Sequence, residues 1–149
     1  VQQTAESGQT GEVAGLRLVL RGNQTGYTVR GLEGRLVQVF QNLISNARSF
    51  TPPGEEISIV ISRNRLRLNI SIEDRGPGIP DKSLESIFER FYSERPESES
   101  FGRHSGLGLS ISRQIIEAHG GTIHAENLRD VDGRKTGARF VVCLPTTPS

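Results

Sequence analysis

The spacing of apolar residues changes repeatedly along this chain, and each change predicts an element. Residues 1–12, VQQTAESGQTGE, show no period and read as a polar leader or linker ahead of a folded domain over 13–147. Residues 16–20 (LRLVL) alternate like a strand, and residues 26–30 follow a Gly-Asn turn as its expected partner. From Glu33 the period becomes helical. Leu36, Val39, Phe40, Leu43, Ile44 and Ala47 form one stripe that runs to about Phe50, and TPPG at 51–54 stops it. Residues 57–62 and 66–73 alternate around a polar Arg-Asn-Arg turn, as a hairpin with one buried face does. A short helix is predicted around 83–90. Residues 92–104 have no period and predict a long mobile loop, a length that usually goes with function. Ser105 leads into a helix ending at His119, which is placed to cap carbonyls before Gly120-Gly121. Residues 122–126 and 137–144 make the last strands around a polar turn. The sum is an α/β (α+β) two-layer sandwich, a mixed and largely antiparallel sheet covered on one face by three helices.

Composition narrows the function. At 149 residues the chain can bury one core, and a net charge of +1 gives no concentrated basic face for nucleic acid. Its one cysteine, Cys143, has no internal partner and lies in an alternating run, so a reducing compartment and a buried, unreactive thiol are expected. No stretch approaches the ~20 apolar residues of a membrane span, so this segment is expected to make no membrane contact. A Walker loop, GxxxxGK[ST], is missing, and GPGIPD at 76–81 lacks the third glycine of a dinucleotide fingerprint. His104, His119 and His124 lack partners at zinc-ligand spacing.

Four segments carry the remaining chemistry. Asn42 and Asn46 are one turn apart, so both amides leave one helical face, and amide oxygens suit Mg²⁺. Taken alone, the pair reads more simply as solvated or capping asparagines. Asp74, at a strand end, offers an acceptor to an exocyclic amine such as adenine's. Gly76 and Gly78 after it would let backbone approach a flat base, although a plain Gly-Pro turn explains them as well. In IFERFY at 87–92, aromatics flank a charged pair just before the long loop. Finally, SGLGLS at 105–110 opens a helix with two glycines, which suits phosphates bound at the positive end of the dipole.

The ordered series NLISNA, DRGPGI, IFERFY, SGLGLS and IIEAHGG closely resembles the N, G1, F and G2 boxes of histidine-kinase ATPase domains. These belong to the wider GHKL superfamily with its Bergerat fold. The stretch FYSERPESESFGRHSGLGLS resembles the ChvG/ExoS branch of sensor kinases. The resemblance implies ATP and Mg²⁺ as ligands, with Asn46 binding the metal and Asn42 assisting at the metal and phosphates. It implies that Asp74 holds the adenine amine, that Gly76, Gly78 and Ile79 line the base, and that Phe50 packs near it. Ser105, Gly106, Leu107, Gly108 and Leu109 would cover the phosphates, and residues 92–104, starting at Tyr92, would form the ATP lid.

Two positions depart from the family pattern. Ser49 stands where a lysine is familiar, and Ser93 where an arginine often follows the aromatic. Arg48, Arg95 or Arg103 would then have to supply the phosphate-binding charge. The resemblance further implies phosphoryl transfer to a histidine on a separate dimerisation domain, whose signature is nowhere in these residues, and a response regulator downstream. It implies a cytoplasmic domain whose parent protein is anchored in the inner membrane. Two related readings remain, an anti-sigma-factor-type serine kinase and a degenerate nucleotide-binding regulatory module. For Asp74 the sequence predicts that alanine should impair base recognition more than asparagine, which keeps an oxygen acceptor.

Overall fold

A computed structural model describes residues 2–3, 10–13, 16–21, 27–28, 33–64, 66–90 and 107–146. Four short strands come first: β1 (Gln2–Gln3), β2 (Thr10–Val13), β3 (Leu16–Arg21) and β4 (Tyr27–Thr28). Helix α1 spans Glu33–Phe50, and strands β5 (Ile57–Arg63) and β6 (Arg67–Glu73) follow it. Helix α2 (Leu107–Ala118) precedes β7 (Thr122–Arg129) and β8 (Lys135–Pro145). Six strands make one sheet in the order β2-β3-β5-β6-β8-β7. Its β5-β6-β8-β7 block is antiparallel throughout, while β3 joins β5 in parallel.

That parallel pairing corrects one expectation. Residues 26–30 were the predicted partner of β3, yet Tyr27–Thr28 pairs with Gln2–Gln3, and β3 lies instead along β5 with Leu18 opposite Ile59. Parallel strands need a long crossover, and α1 supplies it between β3 and β5. A second correction concerns helix number. Among the described residues two α-helices occur, and the segment expected to be a third forms two 3₁₀ turns, Asp81–Ser83 and Ser86–Phe88. A helix this short is marginal by itself. Here the chain must turn twice to bury Ser83 and then the adjacent Ile87 and Phe88.

The core follows the two periodicities. Leu36, Val39, Leu43 and Ala47 of α1 are buried, as are Ile115 and Ile116 of α2. They meet cross-strand rows such as Ile61, Ile70, Val142 and Ile123, each in register with the next. Each large apolar side chain fully buried in this way contributes about 1.5–3 kcal/mol. The α2 terminus closes as expected: Gly120 takes φ 80° and the Gly121 N–H bonds to Ile116 O at 2.9 Å. His119 Nδ1 lies 2.7 Å from Ile115 O, so the imidazole caps a carbonyl of the last turn.

Candidate functional site

Helix α1 organises the site because Asn42, Asn46 and Phe50 are spaced four apart on one face. At the start of that row, midway along the helix, Asn42 lies against α2. An added Cβ on Gly108 would come within 2.6 Å of Asn42 Oδ1, so any larger residue there would push the Asn42 amide aside. Asn42 Nδ2 also donates to Ser112 Oγ at 3.2 Å. At the other end, a Cβ on Gly76 would fall 2.7 Å from Phe50 O and 2.8 Å from Phe50 Cβ. The two contacts are separated by eight residues of helix, about 12 Å at 1.5 Å per residue. Asn46 lies midway, half-buried, and its amide makes no hydrogen bond among the described residues. The two asparagines are thus unlike: one is committed to α2, the other is open.

Asp74 ends β6 and is 3% exposed. Its Oδ1 accepts two backbone bonds, from Gly76 N–H and from Ala138 N–H, both at 2.9 Å. Its Oδ2 accepts none among the described residues. Burial pushes the carboxyl above its ordinary value, against the pull of those two N–H groups and the Arg75 charge. A buried carboxylate with one oxygen fixed and the other open is arranged to receive a donor from a ligand.

The loop from Arg75 to Asp81 is held by side chains that the sequence reading did not single out. Thr51 Oγ1 accepts from Arg75 N–H at 3.0 Å while donating to Ala47 O, tying the loop to the end of α1. On the opposite side, the Asn127 amide pairs with both the N–H and the carbonyl of Ile79 at 2.7 Å. Lys135 Nζ adds a bond to Ile79 O at 2.9 Å, and Arg129 grips both Asp81 oxygens at 3.0 Å. The Asn127 amide, aided by Lys135 and Arg129, holds the exposed Asp81 carboxyl below its ordinary value. Gly78, at φ 84°, faces Asn127, whose Oδ1 would lie 2.8 Å from an added Cβ. Both loop glycines therefore leave room for the protein's own groups. One sequence signal could have found Asn127: it is a polar residue on the inward alternation of Ile123 and Ala125, one position past the strand predicted at 122–126.

Ile79 is buried, as are Ile87 and Phe88. Phe88 meets Phe140 edge-on at 6.0 Å, and Arg113 stacks 5.0 Å over its ring, so this part of the aromatic segment is a core anchor. Leu109 is partly buried against the core, and Leu107 begins α2. The Ser49 hydroxyl turns back to Asn46 O at 2.7 Å. Tyr92, Arg95, Arg103, Ser105 and Gly106, and the lid expected at 92–104, lie outside the described residues.

Residues 31–148 match the family described as histidine kinase-, DNA gyrase B- and HSP90-like ATPases. Sensor protein ChvG of Rhizobium meliloti (strain 1021) is 55% identical over 123 residues, which are 82% of this chain and 21% of that protein. The chain therefore spans about a fifth of that curated relative's length. Among solved structures, the mycobacterial sensor histidine kinase MprB superposes with a TM-score of 0.75 at 26% identity, covering 90% of this chain and 83% of that one. Full-length ShkA in complex with AMPPNP superposes with a TM-score of 0.58 at 27% identity, over 78% of this chain and 23% of that one. An antiparallel four-stranded block with helices, the four ordered boxes and these matches agree: the chain belongs to the histidine kinase-, DNA gyrase B- and HSP90-like ATPase family, as an ATPase catalytic domain of the histidine-kinase type.

Proposed function

We propose that this domain, over about residues 13–147, binds ATP with Mg²⁺ and transfers the γ-phosphoryl group to a histidine. That histidine lies on a separate dimerisation domain of the same protein, with a response regulator as the next acceptor. The carrying observation is Asp74, buried with Oδ1 spent on two backbone N–H groups and Oδ2 open. In this reading Oδ2 accepts the adenine amine, with Gly76, Gly78, Ile79 and Phe50 around the base. The phosphates run along α1 toward Asn42 and the α2 terminus at Leu107, Gly108 and Leu109, where free N–H groups and the helix dipole favour anions. Ser105 and Gly106 extend that cradle, and Tyr92, Arg95 and Arg103 belong to the lid.

Asn46 is the residue to hold Mg²⁺, because its half-buried amide has no partner among the described residues and a hard oxygen to offer. The metal, when bound, would neutralise phosphate charge. The protein's own part is positioning, the main requirement in phosphoryl transfer. Among the described residues no helix is long and apolar enough to cross a membrane. The proposal puts this domain in the cytoplasm and an anchor in the inner membrane elsewhere in the parent protein. One observation favours the weak-binding, regulatory reading instead: Ser49 replaces the familiar lysine and spends its hydroxyl on the helix.

Calorimetric titration with ATP, ADP and GTP, each with and without Mg²⁺, decides between the two. The kinase reading expects ATP to bind more tightly than GTP, with an increment from Mg²⁺. No binding of ATP at millimolar concentration would refute it.

A further inference from the structure

The base loop has an unusual support. Between Arg75 and Ile79 no backbone-to-backbone hydrogen bond is made among the described residues. Instead Arg75 N–H is held by Thr51, Gly76 N–H by Asp74, and both polar groups of Ile79 by Asn127. The Asn127 amide acts as a one-residue strand partner, since it donates and accepts toward the same residue as a β-ladder neighbour would. Its Nδ2 also reaches Asp81 Oδ1 at 2.9 Å, and Lys135 and Arg129 reinforce the same point from the β7–β8 hairpin. Gly78 accommodates this amide in the space a side chain would fill.

We infer that Asn127 is a positioning residue of the base site, fixing Ile79 and the loop beside Asp74 so that the adenine-facing surface exists before nucleotide arrives. This rests on the proposed ATP reading and extends it to edge strand β7, 48 residues from Ile79 in sequence. A nucleotide binds only the fraction of molecules whose loop is in place, and apparent affinity falls in proportion to that fraction. Loss of the Ile79 pairing that leaves the loop in place a tenth of the time therefore weakens ATP about tenfold.

The test uses the 149-residue chain and two variants, Asn127→Ala and the isosteric Asn127→Asp. Aspartate keeps an acceptor for Ile79 N–H, loses the donor to Ile79 O and sets a second carboxylate against Asp81. ATP and GTP are titrated with and without Mg²⁺, amide exchange is followed at Ile79 in the free protein, and folding is checked by circular dichroism. The expected result is faster exchange at Ile79, about tenfold weaker ATP binding, a smaller ATP-to-GTP ratio and an unchanged Mg²⁺ increment. A residue that merely stabilised the fold would lower the melting temperature and leave base selectivity alone, and that result overturns the inference. Should the alanine variant not fold, the aspartate variant decides by ATP affinity and the ATP-to-GTP ratio, since its carboxylate still accepts from Ile79 N–H. If the unaltered chain binds ATP and both variants match it, this inference falls alone; if the unaltered chain does not bind ATP, the base-site reading falls first and takes this one with it.

Discussion

Asparagine at position 74 is the change whose outcome the structure alters most. Asp74 Oδ1 receives two backbone N–H groups at 2.9 Å, and an asparagine has a single oxygen to offer them. Turning the amide the other way would leave both donors unsatisfied, at about 1–3 kcal/mol each. The oxygen therefore stays at the Oδ1 position and the NH₂ takes the place of Oδ2. That puts a donor against the donor amine of adenine. The charge-assisted bond is lost, about 1.5–3 kcal/mol or roughly 10- to 150-fold in ATP affinity. Guanine carries an acceptor where adenine carries that amine, so the same NH₂ has a partner in GTP. Asp74→Asn should therefore bind ATP no better than Asp74→Ala, and its preference should move toward GTP. The sequence alone predicted alanine to be the worse variant for base recognition. Alanine should instead be the less stable protein, because it strips the acceptor from Gly76 and Ala138. Calorimetry with both nucleotides and thermal melts of both variants measure this. If Asp74→Asn binds ATP as tightly as the parent, the assigned roles of the two oxygens are wrong.

Three further outcomes follow. Asn46→Ala should abolish the Mg²⁺-dependent part of ATP affinity with a stability change within about 0.5 kcal/mol, whereas Asn42→Ala should cost about 0.5–1.5 kcal/mol through its Ser112 bond. Titration and urea unfolding of both variants distinguish them, and an unchanged Mg²⁺ increment in Asn46→Ala contradicts the metal assignment. Gly108→Ala should push the Asn42 amide off Ser112 Oγ and cost no more than that bond, about 0.5–1.5 kcal/mol, so adding Asn42→Ala should cost little more; strictly additive losses would show that the two do not meet. Because burial raises the Asp74 carboxyl above its ordinary 3.8, the stability linked to it is fully present below that pH and is lost as pH rises through the folded value. Urea unfolding from pH 3.5 to 7 should therefore show the parent losing ground to Asp74→Asn as pH increases, and a difference constant with pH counts against a strained carboxylate.

Local pattern carried much of this protein. The stripe from Leu36 to Ala47 needs only the helical period, and α1 ends at Phe50 where TPPG stops it. The β5–β6 and β7–β8 pairs were legible from alternation, and the ordered boxes pointed to the family because their glycines, amides and acid recur at short, readable spacings. Three things were decided elsewhere. Which strand β3 pairs with depends on the crossover through α1, and alternation says that a strand exists without naming its neighbour. The segment from Asp81 to Phe88 turns twice in place of one helix, because the core must take Ser83, Ile87 and Phe88 together. The division of labour within the site rests on contacts across long separations: Asn42 with Ser112 is 70 residues apart, and Asp74 with Ala138 is 64. Periodicity reports which way a side chain faces along its own element. A hydrogen bond needs two groups within about 3 Å and well aligned, and for residues this far apart only the packed sheet and helices set that distance.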